Sequence, residues 1–144
     1  MGQPITAEAV QAPQPLKSGL APYLMLQGAA EAIAFYSRAF GAEEVGPRAL
    51  MPGGRIMNGR IDLNGASIML MDPMPEHGHP APPHDGFNLH LQVDDADAWF
   101  ARAVEAGCEP LMPVELQFWG DRYGMVKDPF GVRWGLGSTP AANA

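Results

Sequence analysis

Apolar residues follow a strand-like and then a helix-like period in the first half of the chain. Leu20–Leu26 predicts a strand, and Ala29–Phe40 predicts a helix that Gly41 ends. The helix turns one apolar face toward a core, formed by Ile33, Tyr36 and Phe40. Turns at Pro52-Gly53-Gly54 and Asn64-Gly65 separate three more predicted strands: Glu43–Met51, Arg55–Leu63 and Ala66–Met71. This half therefore reads β-α-β-β-β.

The second half repeats this order after a loop rich in proline and histidine. Asp94 is predicted to cap a helix that runs to Ala106, with Asp97 near its start and Gly107 at its end. The remaining apolar runs predict four strands: Phe87–Val93, Cys108–Val114, Phe118–Lys127 and Val132–Gly137. Gly41-Ala42-Glu43 reappears as Gly107-Cys108-Glu109, which supports an internal repeat.

Two such halves predict an α+β fold with two tandem βαβββ modules. We expect them to form a curved, half-barrel mixed sheet with the helices outside and a cleft within. The predicted organisation is a flexible N-terminal arm rich in Ala, Pro and Gln (1–19), one domain (20–138) and a tail (139–144). Within the domain, module 1 spans 20–72, the loop 73–86 and module 2 87–138.

The composition of the chain limits the classes of partner and the cellular compartment that we expect. Hydrophobic residues make up 47% of the 144 residues, so a packed core needs no disulfide or metal. The net charge of −7, without a Lys/Arg cluster, predicts no nucleic-acid partner and no anionic membrane partner. We expect a cytoplasmic protein, because no apolar run approaches a membrane span and no secretory signal is visible. The single cysteine, Cys108, is expected to be a buried, inert thiol.

The segment 117–134 predicts a strand, a tight turn and a second strand. Asp128-Pro129-Phe130-Gly131 has the chemistry of a β-turn, with Pro129 fixing φ and Asp128 able to bond the backbone ahead. The strand before the turn combines aromatic, amide, carboxylate and guanidinium groups. Two interpretations remain open, the wall of a polar-lined pocket and an ordinary amphipathic hairpin.

Four short motifs, placed in this order of elements, resemble the vicinal oxygen chelate superfamily. They are Ala34-Phe35-Tyr36, Phe40-Gly41-Ala42-Glu43, Val93-Asp94-Asp95-Ala96-Asp97-Ala98 and Asp128-Pro129-Phe130-Gly131. That group includes glyoxalases, bleomycin-binding proteins and extradiol dioxygenases. Gln117–Gly124, Arg133-Trp134 and Leu20–Leu24 resemble its PhnB-like branch more narrowly. The resemblance covers residues 20–138 and implies a homodimer with a ligand-binding cleft, but it fixes no substrate.

Superfamily enzymes hold a divalent metal with His and Glu from the first and last strands of each module. The resemblance maps these positions onto Ala21, Met69, Asn88 and Gly135. None of these residues offers an imidazole or a carboxylate, which a catalytic metal site normally requires. We therefore predict no cofactor and no metal ligands, and keep a divalent metal with unusual ligands as the alternative.

The loop carries a second group of metal-ligand types. Glu76-His77-Gly78-His79 is followed by His84 and Asp85, a spacing that could bind a stray transition metal. Three prolines in this span and Pro75 directly before it oppose a compact cage of ligands. A solvated loop over the mouth of the cleft, able to act as a lid, is the favoured interpretation.

Candidate ligand-binding residues share the ability to stack, to adapt in shape or to hydrogen-bond: Tyr23, Met69, Asn88, His90, Gln117, Trp119, Arg122 and Arg133. His90 is also the candidate catalytic base, although a satisfied core histidine explains it as well. Arg122 is open to another explanation, an ion pair with Asp121 or with a dimer partner.

Three functions compete on this evidence. The favoured one is a small-molecule-binding protein that lacks the usual metal ligand set and sequesters an organic ligand. The alternative is an enzyme of the same superfamily, of lyase, isomerase, transferase or dioxygenase type, with an atypical or absent metal centre. The third is a dimeric scaffold with a vestigial cleft.

Overall fold

The strands and helices follow one another in the predicted order, except that the strand predicted after the first helix is divided in two. The computed structural model describes residues 14–78 and 83–140. Its elements are β1 (Tyr23–Met25), α1 (Ala29–Phe40), β2 (Glu43–Glu44), β3 (Ala49–Leu50), β4 (Ile56–Leu63), β5 (Ala66–Met71), β6 (Asn88–Gln92), α2 (Ala96–Ala106), β7 (Glu109–Leu116), β8 (Arg122–Lys127) and β9 (Arg133–Ser138). Single 3₁₀ turns lie at Pro52–Gly54 and Pro75–His77. The predicted α+β class is confirmed, with two open mixed sheets.

The chain divides into two compact units. Among the described residues, the first unit contains 14–37 and 41–78, and the second contains 38–40 and 83–140. The last turn of α1 therefore belongs to the second unit. Within the described part of the chain, no helix is both long and apolar enough to cross a membrane.

The first unit is a sheet with strand order β1-β5-β4-β2, to which β3 adds by pairing with β4. β1 and β5 are parallel, and the remaining pairs are antiparallel. One face of the sheet is buried, and its largest members are Leu24, Ile61 and Leu70. α1 packs on this face so closely that a Cβ at Gly59 would lie 3.2 Å from Cδ1 of Ile33. The predicted apolar face of α1 is confirmed as buried.

The second unit has a four-stranded sheet of order β6-β9-β8-β7, in which β6 and β9 are parallel. Its buried face is centred on Trp134, which is 1% exposed. The ring of Phe40 lies 4.8 Å from the Trp134 ring and 6.5 Å from Trp99 of α2. Nε of Arg102 also donates to the carbonyl of Arg38 at 2.8 Å. Aromatic packing and this bond tie the last turn of α1 to α2 and to the sheet.

Both predicted hairpin turns are present. Asn64 and Gly65 have positive φ values of 51° and 83°, as a two-residue hairpin loop requires. In the second turn, Gly131 N–H donates to the Asp128 carbonyl at 3.1 Å. The buried Asp128 carboxylate accepts N–H donors from Phe130 (2.9 Å), Val132 (3.0 Å) and the Trp134 indole (2.8 Å). The acidic residue of this turn is therefore a structural residue that joins the turn to the core.

Two predicted boundaries in the second unit were wrong. The strand predicted over Phe118–Lys127 begins only at Arg122, because Gly120 adopts φ 100° and its N–H donates to the Gln117 carbonyl at 3.0 Å. Residues 117–120 therefore form a turn between β7 and β8. The cap of α2 is Asp95 rather than Asp94, since Asp95 Oδ1 accepts the Ala98 N–H at 3.1 Å.

Two predicted strands of the first unit were too long. The run Glu43–Met51 separates into β2 and β3, with Pro47 between them lacking the N–H that a continuous ladder needs. The first strand is limited to Tyr23–Met25. The predicted α1 and β5 bounds match the structure residue for residue.

The described part of the predicted arm contacts the first sheet. Arg60 Nη1 donates to the Gln14 carbonyl at 2.8 Å, and the Lys17 N–H donates to Ser67 Oγ at 2.9 Å. The Lys17 ammonium lies 3.8 Å from the Asp62 carboxylate. Residues 1–13 of the arm, 79–82 of the loop and 141–144 of the tail lie outside the described residues.

Candidate functional site

The second sheet presents a row of chemically useful side chains on the side opposite its buried core. Strand pairing aligns Asn88 with Arg133 and His90 with Gly135, while Tyr123 pairs with Gly137. Paired residues share a face, so alternation assigns the whole set. We call this side the open face; its members are Asn88, His90 and Gln92 of β6, Tyr123, Met125 and Lys127 of β8, and Arg133, Gly135 and Gly137 of β9.

Two aromatic rings cover the two glycines at the centre of the open face. A Cβ at Gly135 would lie 2.9 Å from Cε1 and 3.0 Å from Cζ of Tyr123, with the phenol oxygen closer still. A Cβ at Gly137 would lie 2.8 Å from Cε1 of His90. The His90 and Tyr123 rings are stacked, with centroids 5.8 Å apart and planes 14° apart. We call Gly135 and Gly137 the glycine floor. Because these residues lack side chains, the two rings can lie close to the backbone.

A hydrogen-bonded chain orients the imidazole of His90. Gln92 Nε2 donates to the Thr139 hydroxyl at 3.0 Å, which turns the amide oxygen toward His90. That oxygen lies 2.8 Å from His90 Nε2. Because an amide oxygen only accepts, Nε2 carries the proton, and Nδ1 is the basic nitrogen of the neutral ring.

The phenol of Tyr123 stays protonated at neutral pH. Burial disfavours the phenolate and raises the pKa of Tyr123 above its usual value of 10.0. The hydroxyl therefore serves as a hydrogen-bond donor over the glycine floor. It is not a base at neutral pH.

The turn between β7 and β8 extends the aromatic surface. The Trp119 ring lies 5.9 Å from Tyr123 and 5.0 Å from Phe118. Trp119 is 51% exposed, so much of its ring remains available for contact. The predicted stacking residue thus lies beside the open face, at the end where Tyr123 stands.

Arg133 is the predicted arginine that the structure brings to the open face. Its Nη1 lies 3.3 Å from the Asp85 carbonyl, and its Nη2 lies 3.8 Å from the Asp85 carboxylate. Asn88, also predicted, is exposed beside it at the start of β6.

Arg122 and Gln117 are engaged elsewhere. Arg122 pairs with Ser138, on the other side of the sheet, and binds both carboxylate oxygens of Asp97 at 2.7 and 3.0 Å. This hydrogen bonding from Arg122 lowers the pKa of Asp97. The predicted partner Asp121 is not the one observed. The Gln117 amide donates to the backbone carbonyls of Glu115 and Tyr123, each at 3.3 Å, and thereby supports the turn.

Tyr23 and Met69 belong to the first unit and pair with each other between β1 and β5. The Tyr23 hydroxyl donates to the Met57 carbonyl at 2.8 Å and accepts from Asn58 Nδ2 at 3.0 Å. The same amide nitrogen lies 3.7 Å from the Met69 sulfur. Asn58 therefore fixes both predicted residues on the side of the first sheet opposite its buried face.

The residues at the family's metal positions do not fit a metal centre. Ala21 precedes β1, Met69 offers a thioether, and Asn88 offers a neutral oxygen. At the fourth position, the Tyr123 phenol fills the space into which a glutamate at 135 would project. Across 14–78 and 83–140, no three His, Cys, Asp or Glu side chains group together as metal ligands.

The first acidic residue of the His-rich loop, Glu76, is not available as a metal ligand. Glu76 is bound by both Nη atoms of Arg55, which lowers the pKa of the Glu76 carboxyl to about 2. His84 packs edge-on against Phe87, with ring centroids 6.3 Å apart. His79 lies outside the described residues.

A cavity of about 580 Å³ lies in the first unit beside the N-terminus of α1. Two of its charged side chains, Asp72 and Arg55, are already bonded. The two oxygens of Asp72 accept the N–H groups of Ala29 (2.8 Å) and Ile56 (2.7 Å), and Arg55 holds Glu76. None of the predicted ligand-binding residues lines it.

Cys108 is buried, as predicted. Burial, reinforced by the charge of Asp128, raises the pKa of its thiol to about 12. The thiolate, which is the reactive form, is therefore negligible at neutral pH.

Comparison with known proteins identifies the family to which this architecture belongs. The model of the Glyoxalase/Bleomycin resistance protein/Dioxygenase superfamily matches residues 24–136. The chain belongs to this superfamily. An uncharacterized protein of Mycobacterium bovis is 41% identical over 128 residues, which cover 85% of this chain and 84% of that protein.

Solved structures of the superfamily share the fold. The PhnB protein of Bacillus cereus has a TM-score of 0.65 at 23% identity, covering 85% of this chain and 100% of that one. A glyoxalase-related enzyme from Fulvimarina pelagi has a TM-score of 0.66 at 21% identity, covering 84% and 88%. The predicted membership of the superfamily is confirmed, and a PhnB protein is among the solved structures that share the fold.

Sequence reasoning missed three residues that hold the predicted ones in place. Gln92 lies two residues from His90 in β6, and Asn58 lies two residues from Arg60 in β4. Residues two apart share a face, so strand periodicity could have found both. Thr139 follows the last strand, and nothing in the sequence marks its bond to Gln92.

Proposed function

We propose that this protein binds a small organic molecule on the open face of the second sheet. The observation that supports this proposal is the pair of nearly parallel rings, His90 and Tyr123, that lie over the glycine floor. Ordinary sheet surfaces place a side chain at every position, whereas the two omitted side chains here let these rings lie close to the backbone. The exposed parts of the rings then offer a surface for a planar ligand. Trp119 adds an exposed ring at one end, and Asn88 and Arg133 add polar groups at the other.

The proposed binding requires no metal. The four family positions supply neither imidazole nor carboxylate, and Tyr123 occupies the space of the usual glutamate side chain. Binding would instead depend on stacking, on the Tyr123 hydroxyl and on the oriented Gln92–His90 pair.

Ligand binding can be tested by thermal shift and tryptophan fluorescence against a library of aromatic, heterocyclic and antibiotic molecules. We expect ligands that raise the melting temperature, and we expect Trp119→Ala to abolish that rise while leaving the unliganded melting temperature unchanged. Phe87→Ala is the matched control, because Phe87 is also an exposed aromatic residue (41%) but lies on the other side of the sheet by alternation. A library without any hit, or a hit indifferent to Trp119→Ala, would refute the proposal.

An enzyme of the same superfamily is the second candidate. The observation that favours it is the contact of 2.8 Å between His90 Nε2 and the Gln92 amide oxygen, which leaves Nδ1 as the nitrogen able to accept a proton. An enzyme would use this nitrogen as a general base toward a bound substrate. Elemental analysis of untagged protein tests whether such an enzyme depends on a metal. A stoichiometric metal that is lost on changing His90 or Asn88 would favour the metal-dependent enzyme over the proposed function. Turnover of a library ligand, abolished by His90→Gln, would identify a metal-free enzyme.

Assembly and compartment remain proposals. The superfamily resemblance supports a homodimer, which light scattering on the purified protein would test. A cytoplasmic location is supported by the single buried thiol, and fractionation of cells would test it.

A further inference from the structure

We infer that the ligand of the open face is a flat aromatic carboxylate. This inference rests on the proposed function and names the chemical class that the same site would take. Three features carry it: the glycine floor, the row of rings, and a pair of cations at the far end of the face.

The preference for a flat ligand follows from the aromatic rings that lie over and beside the glycine floor. The His90 and Tyr123 rings are nearly parallel, and they approach the backbone more closely than any side chain at 135 or 137 would permit. The Trp119 ring continues this row at 5.9 Å from Tyr123, within the range in which aromatic rings attract one another. A further flat ring extends the row, whereas a puckered saturated ring cannot match these contacts.

Charge follows from Lys127 and Arg133. The two residues are direct neighbours across β8 and β9 and share the open face. Among the described residues, the Lys127 ammonium makes no ion pair. Arg133 makes one long ion pair of 3.8 Å with the Asp85 carboxylate and donates Nη1 to the Asp85 carbonyl at 3.3 Å. By contrast, Arg122 is saturated by Asp97 on the other side of the sheet. The guanidinium of Arg133 is therefore the fork on this face able to take a carboxylate.

Acidic residues limit where an anion can sit. Glu109 and Glu115 of β7 pair with Lys127 and Tyr123 and border the face on that side. The carboxylate of the ligand would therefore lie toward β9 and β6, between Arg133 and Asn88.

Three matched probes test the class by isothermal titration calorimetry on the full chain: naphthylacetate, its neutral amide naphthylacetamide, and the saturated decahydronaphthylacetate. We expect naphthylacetate to bind at least about tenfold more tightly than either of the others, as loss of a charge-assisted contact or of stacking predicts. Arg133→Gln and Lys127→Gln should each lower the affinity for naphthylacetate toward that of the amide. They should leave amide binding unchanged.

Arg102→Gln, which removes a positive charge from α2, is the matched control and should leave the preference for the acid intact. Equal affinity for the three probes, or no binding of naphthylacetate, would overturn the inference. The proposed function would survive that result if a library ligand still bound in a manner dependent on Trp119. It would fail separately if no library ligand bound.

Discussion

The phenol ring of Tyr123 lies over Gly135 so closely that the two positions cannot both carry full side chains. A Cβ at 135 would stand 2.9 Å from Cε1 of the ring, inside the distance that real Cβ contacts show. The ring must move if the glycine is replaced, and the stack with His90 is then lost.

We therefore predict that Gly135→Ala destabilises the protein by about 1–3 kcal/mol, the usual cost of forcing a group into packed space. Tyr123→Ala should relieve the crowding, so the double variant should lose less than the sum of the two single changes. Urea unfolding of the four proteins measures this coupling. Gly86→Ala is the control, since open space surrounds that Cβ position, and strictly additive effects would contradict the proposed contact.

Asp128 holds the hairpin turn from inside the core. Its carboxylate accepts two backbone N–H groups and the Trp134 indole N–H, while the residue itself is 3% exposed. In Asp128→Asn, one carboxylate oxygen becomes an NH₂ group that faces a donor. We expect a loss of about 2–4 kcal/mol in the free energy of unfolding, because buried donors are left unsatisfied.

Urea unfolding followed by circular dichroism measures the effect of Asp128→Asn. Asp94→Asn is the matched control, because Asp94 is exposed and Asp95 caps α2. Equal stability of the two variants would show that Asp128 is not an anchor.

The pairing of Glu76 with Arg55 makes part of the stability depend on pH. Arg55 lowers the pKa of the Glu76 carboxyl from 4.5 to about 2, so folding favours the ionised form. A depressed pKa contributes stability that is fully present above the unfolded value and is lost as the pH falls through the folded value. Because both groups are exposed, we expect a modest effect.

Glu76→Gln should therefore lower the melting temperature at pH 6, and the difference from the unsubstituted protein should shrink between about pH 4.5 and pH 2. Thermal unfolding at a series of pH values at low salt measures this difference. Glu31→Gln supplies the control, as Glu31 makes no ion pair among the described residues. A difference that stays constant down to pH 2 would contradict the assignment.

Local chemistry predicted much of the fold, because the deciding interactions are close in sequence. The bounds of α1 follow from its apolar face and Gly41, and the turn at Asn64-Gly65 follows from the positive φ values that these residues tolerate. The Asp128 turn was predicted for the same reason, although its bond to Trp134 was not.

The candidate site could be predicted only in part, because side chains lean across strands. His90 and Tyr123 reach glycines on β9, a strand neither belongs to, and no sequence period encodes that reach. The face of Arg122 depended on where the turn at 117–120 ends, and a Gly at 120 left that register open. The ligand-binding roles of the eight predicted residues stay predictions.

Ser67 links the N-terminal segment to the first sheet. This fully buried residue accepts the Lys17 N–H at 2.9 Å and donates to Asp62 Oδ1 at 3.0 Å, while Arg60 holds both Asp62 and the Gln14 carbonyl. Ser67→Ala removes two hydrogen bonds and leaves the Lys17 N–H without its acceptor. We expect a loss of about 1–3 kcal/mol in the free energy of unfolding.

Deletion of residues 1–18 provides a second comparison for this test. Without Lys17, the same Ser67→Ala change should cost less, because one of the two bonds is already absent. Ser18→Ala in the full chain is the control, since within 14–78 and 83–140 its hydroxyl bonds only to the nearby Leu20 carbonyl, at 2.9 Å. Hydrogen exchange should report faster exchange at Lys17 in Ser67→Ala but not in Ser18→Ala. If Ser67→Ala costs the same with and without the segment, the contact between the segment and the sheet contributes nothing to stability.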